Sequence, residues 1–237
     1  MSSPSIARLD LPPPYSLVSL REAGNAMAHA QSLAARSGAG TLVWARRFHV
    51  AEFALVLEPE EPLQAARRVI HAAGNAIVLA LAVHAPAQHG VTIDWPDTVR
   101  VDGALVGGLE LSWPSDTAED DVPHWLVLGC TIRTVVMRAG EPGLRRLLGG
   151  LDEQGFDELD PATVVEGFAR YFLREMDTWQ EQGFAGVRAR WLAHAPDTAD
   201  TALLDNGDTL RDGERRSLAT ALTAPSWRDP ATGEPWL

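Results

Sequence analysis

Residues 94 to 111, DWPDTVRVDGALVGGLEL, constrain the fold more than any other segment of this chain. Apolar residues alternate on both sides of Asp102-Gly103. That pair tolerates the positive φ angles a type I′ turn requires, so the spacing predicts a tight β-hairpin. Trp95-Pro96-Asp97 forms a corner leading into it, and Gly107-Gly108 strips side chains from part of the second strand. A floor without side chains admits a ligand or a second backbone at close range. The corner also has a purely structural reading: Trp95-Pro96 as a packed strand terminus and Asp97 as a turn cap.

The flanking periodicities predict an α+β order. Ser19-Leu20-Arg21-Glu22 reads as a capping box, with Leu20, Ala23, Met27, Ala30 and Ala34 at helical spacing up to Gly38. Strands are expected at about 41 to 45 and 51 to 58. A helix over 62 to 84 follows, with Pro62 in its first turn, a stripe of Leu63, Ala66, Ile70, Ala73, Ile77 and Leu81, and Pro86 as its stop. Further strands are expected at 91 to 94, 98 to 101, 104 to 112 and 125 to 137. The acidic stretch SDTAEDDVP between the last two reads as a solvated connection.

Asp160-Pro161 marks an N-cap and first turn, and Val164, Phe168, Tyr171, Phe172 and Trp179 form a buried stripe up to Gly183. A shorter helix carries Val187 and Trp191 to Pro196. PDTADT reads as a linker and LLDNGDTL as a hairpin opening a terminal module. The expected architecture is a mixed, largely antiparallel sheet with packed helices over residues 1 to 195, plus a small C-terminal module over 196 to 237.

Composition narrows the function. At 237 residues and 46% hydrophobic content, the chain is long enough for one substantial core. The net charge of −12 disfavours a polyanionic partner, and no helix-turn-helix pattern precedes the core, so nucleic acid is not expected. No apolar run reaches bilayer length and MSSPSIARLDLPPPY lacks a signal-peptide core, so no membrane partner and a cytoplasmic location are expected. The single Cys130 precludes an internal disulfide and a cysteine zinc cluster; in an alternating apolar strand it reads as an inert core residue. His84 and His89 stand without a neighbouring carboxylate, so no metal site is expected. Walker loops, dinucleotide fingerprints and nucleophile elbows are absent from the sequence.

The hairpin segment resembles the central motif of the biotin/lipoate protein ligase family. There a Lys-Trp-Pro-Asn-Asp corner precedes a hairpin carrying a second lysine, then a glycine and an apolar strand. Trp95, Pro96, Gly103 and Gly108 fall where that pattern expects them, whereas Asp94 and Leu105 stand in place of the lysines. The chain has no lysine at all; its 20 basic residues are arginines. WLVLGCTIRTVV at 125 to 136 is similar to the family's Gly-x-Gly-x-Asn strand, with Gly129 kept, Thr131 at the second glycine and Arg133 at the asparagine. The family's Gly- and Arg-rich covering loop would fall between GTLVWARR and AEFALVLEPEEPL, where only Phe48-His49-Val50 remain.

The resemblance implies a cleft for a biotin- or lipoate-like acyl group, ATP with biotin or lipoate if the family activity is kept, and a carrier-protein acceptor. Adenylation builds negative charge on phosphate oxygens, which pre-placed cations must stabilise. Without the lysines and the loop, standard ATP-dependent ligation is not expected, and the catalytic residues stay unassigned. Arg46, Arg47, Arg100 and Arg133 are the candidate substitute cations; Trp95, Pro96, Asp97, Gly107 and Gly108 are the candidate ligand contacts. Three readings stay open: a ligand-binding protein without ligation, an acyltransferase or noncanonical ligase taking an activated acyl group, and a non-catalytic interaction module whose cleft has filled.

Overall fold

The computed structural model describes residues 9–137, 148–157, 159–196, 201–229 and 231. Its centre is a seven-stranded sheet of β1 (Ser16–Leu20), β2 (Thr41–Arg46), β3 (Val50–Leu57), β4 (Val91–Asp94), β5 (Thr98–Val101), β6 (Ala104–Ser112) and β7 (Leu126–Arg133). The spatial order is β1-β2-β3-β7-β6-β5-β4, with β1 parallel to β2 and every other pair antiparallel. The expected α+β class with a mixed, largely antiparallel sheet is what the chain adopts.

Alternation along each strand gives the sheet two different faces. One carries Leu42, Phe53, Leu55, Leu109, Leu128, Cys130 and Ile132 into the larger core under α3 (Val69–Ala82) and α4 (Pro161–His194). The other carries Val43, Ala45, Ala54, Val56 and Val127 beneath α1 (Ala26–Ser37), which contributes Ala26, Ala30 and Ala34. Small α1 residues bring its axis close to the sheet. Large residues on the opposite side, Phe53, Phe168 and Trp191 among them, provide most of the apolar burial, at roughly 1.5–3 kcal/mol for an aliphatic or phenylalanine side chain.

The hairpin forms as its sequence requires. Asp102 and Gly103 take φ of 47° and 82°, and β5 pairs with β6 around them. The register shifts between Val99 and Arg100, and a Cβ on Gly107 would lie 2.0 Å from the Thr131 carbonyl oxygen. Glycine there serves the close approach of β6 to β7.

The first helix departs from the expectation. Residues 16 to 20 form β1, and α1 begins only at Ala26, capped by the Asn25 side chain, which accepts from the Ala28 amide at 2.7 Å. Ser16-Leu17-Val18-Ser19-Leu20 gains ladder hydrogen bonds along β2 that no isolated capping box could match. Other boundaries move less. The 62 to 84 helix divides into α2 (Leu63–Ala66) and α3, and the last strand stops at Arg133, because the Thr134 and Val135 amides turn to the His49 carbonyl.

The acidic stretch is mostly exposed, yet it is more than a connection: the carbonyls of Asp121 and Glu119 accept from Leu63 and Gln64 at the start of α2, and Glu119 pairs with Arg67. At Gly183 (φ 64°, ψ −168°) α4 breaks where sequence places a boundary, and Asp160 caps its start.

The LLDNGDTL hairpin pairs Leu203 with Thr209 and belongs to a three-stranded sheet of β8 (Thr201–Leu203), β9 (Thr209–Arg211) and β10 (Glu214–Arg216), followed by α5 (Leu218–Ala221). Asp208 knits it together by accepting from Asn206, Arg215 and the Leu218 amide. Most of PDTADT and the last residues of the tail lie outside the described residues.

Candidate functional site

The α1 face of the sheet is apolar under the helix and polar beside it. Register places Glu52, Thr131 and Gly108 side by side across β3, β7 and β6, with Ala54, Gly129 and Glu110 in the adjoining row. Glu52 and Glu110 therefore flank a floor of Thr131 and Gly129. Both carboxylates are mostly covered, with side chains 14% and 17% exposed. Burial pushes the Glu110 carboxyl above the ordinary range, Arg228 opposes the shift, and Glu52 adds to it.

Glu52 occupies the positive end of α1. One of its oxygens accepts from the Ala26 amide at 2.9 Å and the other pairs with Arg47 Nε at 3.2 Å. A helix N-terminus next to an arginine is an anion site by its own physics. Here the anion is part of the chain.

Of the arginines singled out from sequence, Arg46, Arg47 and Arg133 sit near this end, engaged by protein groups. Arg46 donates to the Leu20 carbonyl, and Arg47 also donates to that of Gly24. Arg133 is 8% exposed on β7 opposite Val50, close enough to His49 for its charge, with that of Arg47, to reinforce the burial that lowers the imidazole pKa. Arg100 lies apart, paired with Asp94 and donating to the Gly103 carbonyl.

The corner and the glycine floor meet the C-terminal part of the chain. Trp95 Nε1 donates to the Gly207 carbonyl at 3.0 Å, and His71 Nε2 reaches the same oxygen at 3.3 Å. The Trp95-Pro96 peptide is cis, and Asp97 behind it is fully buried. Its carboxylate accepts from the Ser226 hydroxyl at 2.6 Å, the Ser226 amide at 3.3 Å and the Thr98 hydroxyl at 3.0 Å. Burial outweighs these bonds and pushes its pKa up to about 6.

Trp227 then lies on Gly108, where an added Cβ would sit 2.2 Å from the indole. Its Nε1–H donates to the Leu109 carbonyl at 2.8 Å, and Arg228 stacks over the ring while pairing with Glu110. Sequence reasoning missed Glu52, Glu110 and the Ser226-Trp227-Arg228 run. A lone charge inside AEFALVL and another inside GGLELS was the available signal for the first two.

Cys130 faces the larger core, and burial raises its thiol pKa well above the ordinary value. Among the described residues no group of three or more His, Cys, Asp or Glu could hold a metal ion, and no helix is long and apolar enough to cross a membrane.

The model of the biotin/lipoate A/B protein ligase family matches residues 11–193, most of the chain. The chain belongs to that family. No curated protein matches the sequence. Among solved structures, a biotin protein ligase-like protein of unknown function from Silicibacter sp. TM1040 is 23% identical, with a TM-score of 0.78 over 91% of this chain and 99% of that one. Biotin protein ligase from Aquifex aeolicus is 15% identical, with a TM-score of 0.67 over 85% and 94%. That from Leishmania major in complex with biotin is 14% identical, with a TM-score of 0.56 over 86% and 98%. These likenesses extend the family assignment to its fold, and the chain spans nearly the whole of each solved relative. Within the family, this member carries no lysine, a three-residue β2–β3 connection (Arg47 to His49), and a glycine floor covered by its own tryptophan.

Proposed function

We propose that this protein binds an acyl group of the biotin or lipoate type without adenylating it, and takes that group in an uncharged, amide-linked form. The observation that carries the reading is the Glu52 carboxylate seated on the amino end of α1 against Arg47. A free carboxylate or a phosphate entering between Glu52 and Glu110 would meet two anions, with the helix end already satisfied. An amide carries no charge to repel, and its N–H can donate to either carboxylate. Relatives solved with biotin, or with biotin and ATP, support a cleft of this general type.

Titration calorimetry with biotinamide, lipoamide and octanamide against the corresponding free acids tests this. At least one amide is expected to bind tenfold or more tightly than its acid at pH 7.5. An acid binding as well as its amide overturns the reading. Absence of binding by every compound favours a second one, a non-catalytic interaction module, which draws support from the engagement of Trp95, Asp97 and Gly108 by the C-terminal residues.

A further inference from the structure

We infer that Ser226-Trp227-Arg228 is a resident occupant of the cleft, a built-in latch seated where a flat, N–H-bearing ring binds, and that ligand entry requires it to lift. The inference rests on the reading of the α1 face as a ligand cleft, and it gives that cleft a means of control. Trp227 is fully buried, yet it belongs to neither hydrophobic cluster of the protein. It rests on glycine backbone, gives its one polar hydrogen to a strand carbonyl, and is roofed by a guanidinium. Such surroundings are those of a bound heterocycle more than of a core tryptophan, whose neighbours are other apolar side chains.

The two neighbours of Trp227 complete the seat. Ser226 closes on the buried Asp97 carboxylate, while Arg228 closes on Glu110, the residue that follows Leu109 along β6. Lifting the run exposes Gly108 and the Leu109 carbonyl, and leaves Asp97 and Glu110 without those partners. An entering ring must therefore be thin enough to lie on glycine and carry an N–H for the Leu109 oxygen. Glu52 and Thr131 lie in the same row, Glu52 two strand spacings away at roughly 10 Å, a span suited to a small ring and the start of its chain.

The test uses the full chain. Trp227→Ala empties the seat, and the pentapeptide Pro-Ser-Trp-Arg-Asp, the sequence of residues 225 to 229, is offered in trans with its tryptophan fluorescence as readout. The peptide is expected to bind the Trp227→Ala protein at least tenfold more tightly than the parent. In the parent, indole exchange at Trp227, followed by NMR, is expected to run at least a hundredfold faster than global unfolding allows. The milder Ser226→Ala and Arg228→Gln substitutions should accelerate it further while the melting temperature moves by only a few degrees.

Exchange limited by global unfolding in all three proteins would make Trp227 a fixed structural element and overturn the latch. So would failure of the peptide to bind a folded Trp227→Ala protein. Peptide binding that biotinamide and lipoamide cannot displace would leave the latch standing and remove the acyl reading instead.

Discussion

Asp97 shows how a single side chain links the family corner to the C-terminal run. It is a buried carboxylate with three donors, and its pKa still rises to about 6 because desolvation exceeds what the donors return. A carboxyl raised in the folded state binds its proton more tightly there than when unfolded. Its contribution to stability is therefore complete below the unfolded value near 3.8 and is lost as pH rises through about 6. Asp97→Asn removes that dependence. Between pH 4 and 7 the unfolding free energy of the parent, relative to the variant, should fall by on the order of 2–3 kcal/mol, as followed by urea denaturation. Parallel profiles would mean that Asp97 does not titrate in this range. The composition of the corner marked Asp97 as a turn cap or a ligand contact, and neither description included Ser226, which lies 129 residues away.

At the scale of elements, local chemistry was readable where one residue decides a backbone conformation. Asp102-Gly103, Asn206-Gly207 and Gly183 each punctuate the chain where sequence places a turn or a break. At Gly183 a Cβ would meet nothing within 4 Å, so the constraint is conformational alone. Gly183→Ala should lower stability by about 1–3 kcal/mol in thermal unfolding, with no new steric clash. An unchanged melting temperature would show that the helix simply straightens.

The misassigned start of the first helix has the opposite origin. Ser19 and Glu22 satisfy a capping pattern, but β2 offers residues 16 to 20 a parallel edge, and pairing between segments more than 20 residues apart is invisible to local periodicity. The same limit hid the role of the acidic stretch at the start of α2.

For the molecule as a whole, charge placement sets what chemistry is available. Beside the amino end of α1, Arg46 and Arg47 are held by backbone carbonyls and Glu52, while Glu110 faces the same floor; the chain has no lysine and only three residues join β2 to β3, so a developing phosphate charge would meet neither a lysine nor a long β2–β3 loop there. Incubated with ATP and biotin or lipoate, the protein is expected to give no ligand-dependent exchange of labelled pyrophosphate above the protein-free rate. Robust exchange would assign the work to Arg47 and Arg133 and reverse the non-adenylating reading.

The sequence by itself determined the α+β class, the hairpin about Asp102-Gly103, the long helices and the lack of lysine chemistry. These follow from short-range periodicity, turn stereochemistry and residue type, all of which act within a few positions of the chain. Only the tertiary structure decided that Glu52 seats itself on α1, that Glu110 faces it across Thr131 and Gly129, and that Trp227 lies on Gly108. Each of these depends on strand register and on which face of the sheet a residue meets, and a one-residue slip would invert every one of them.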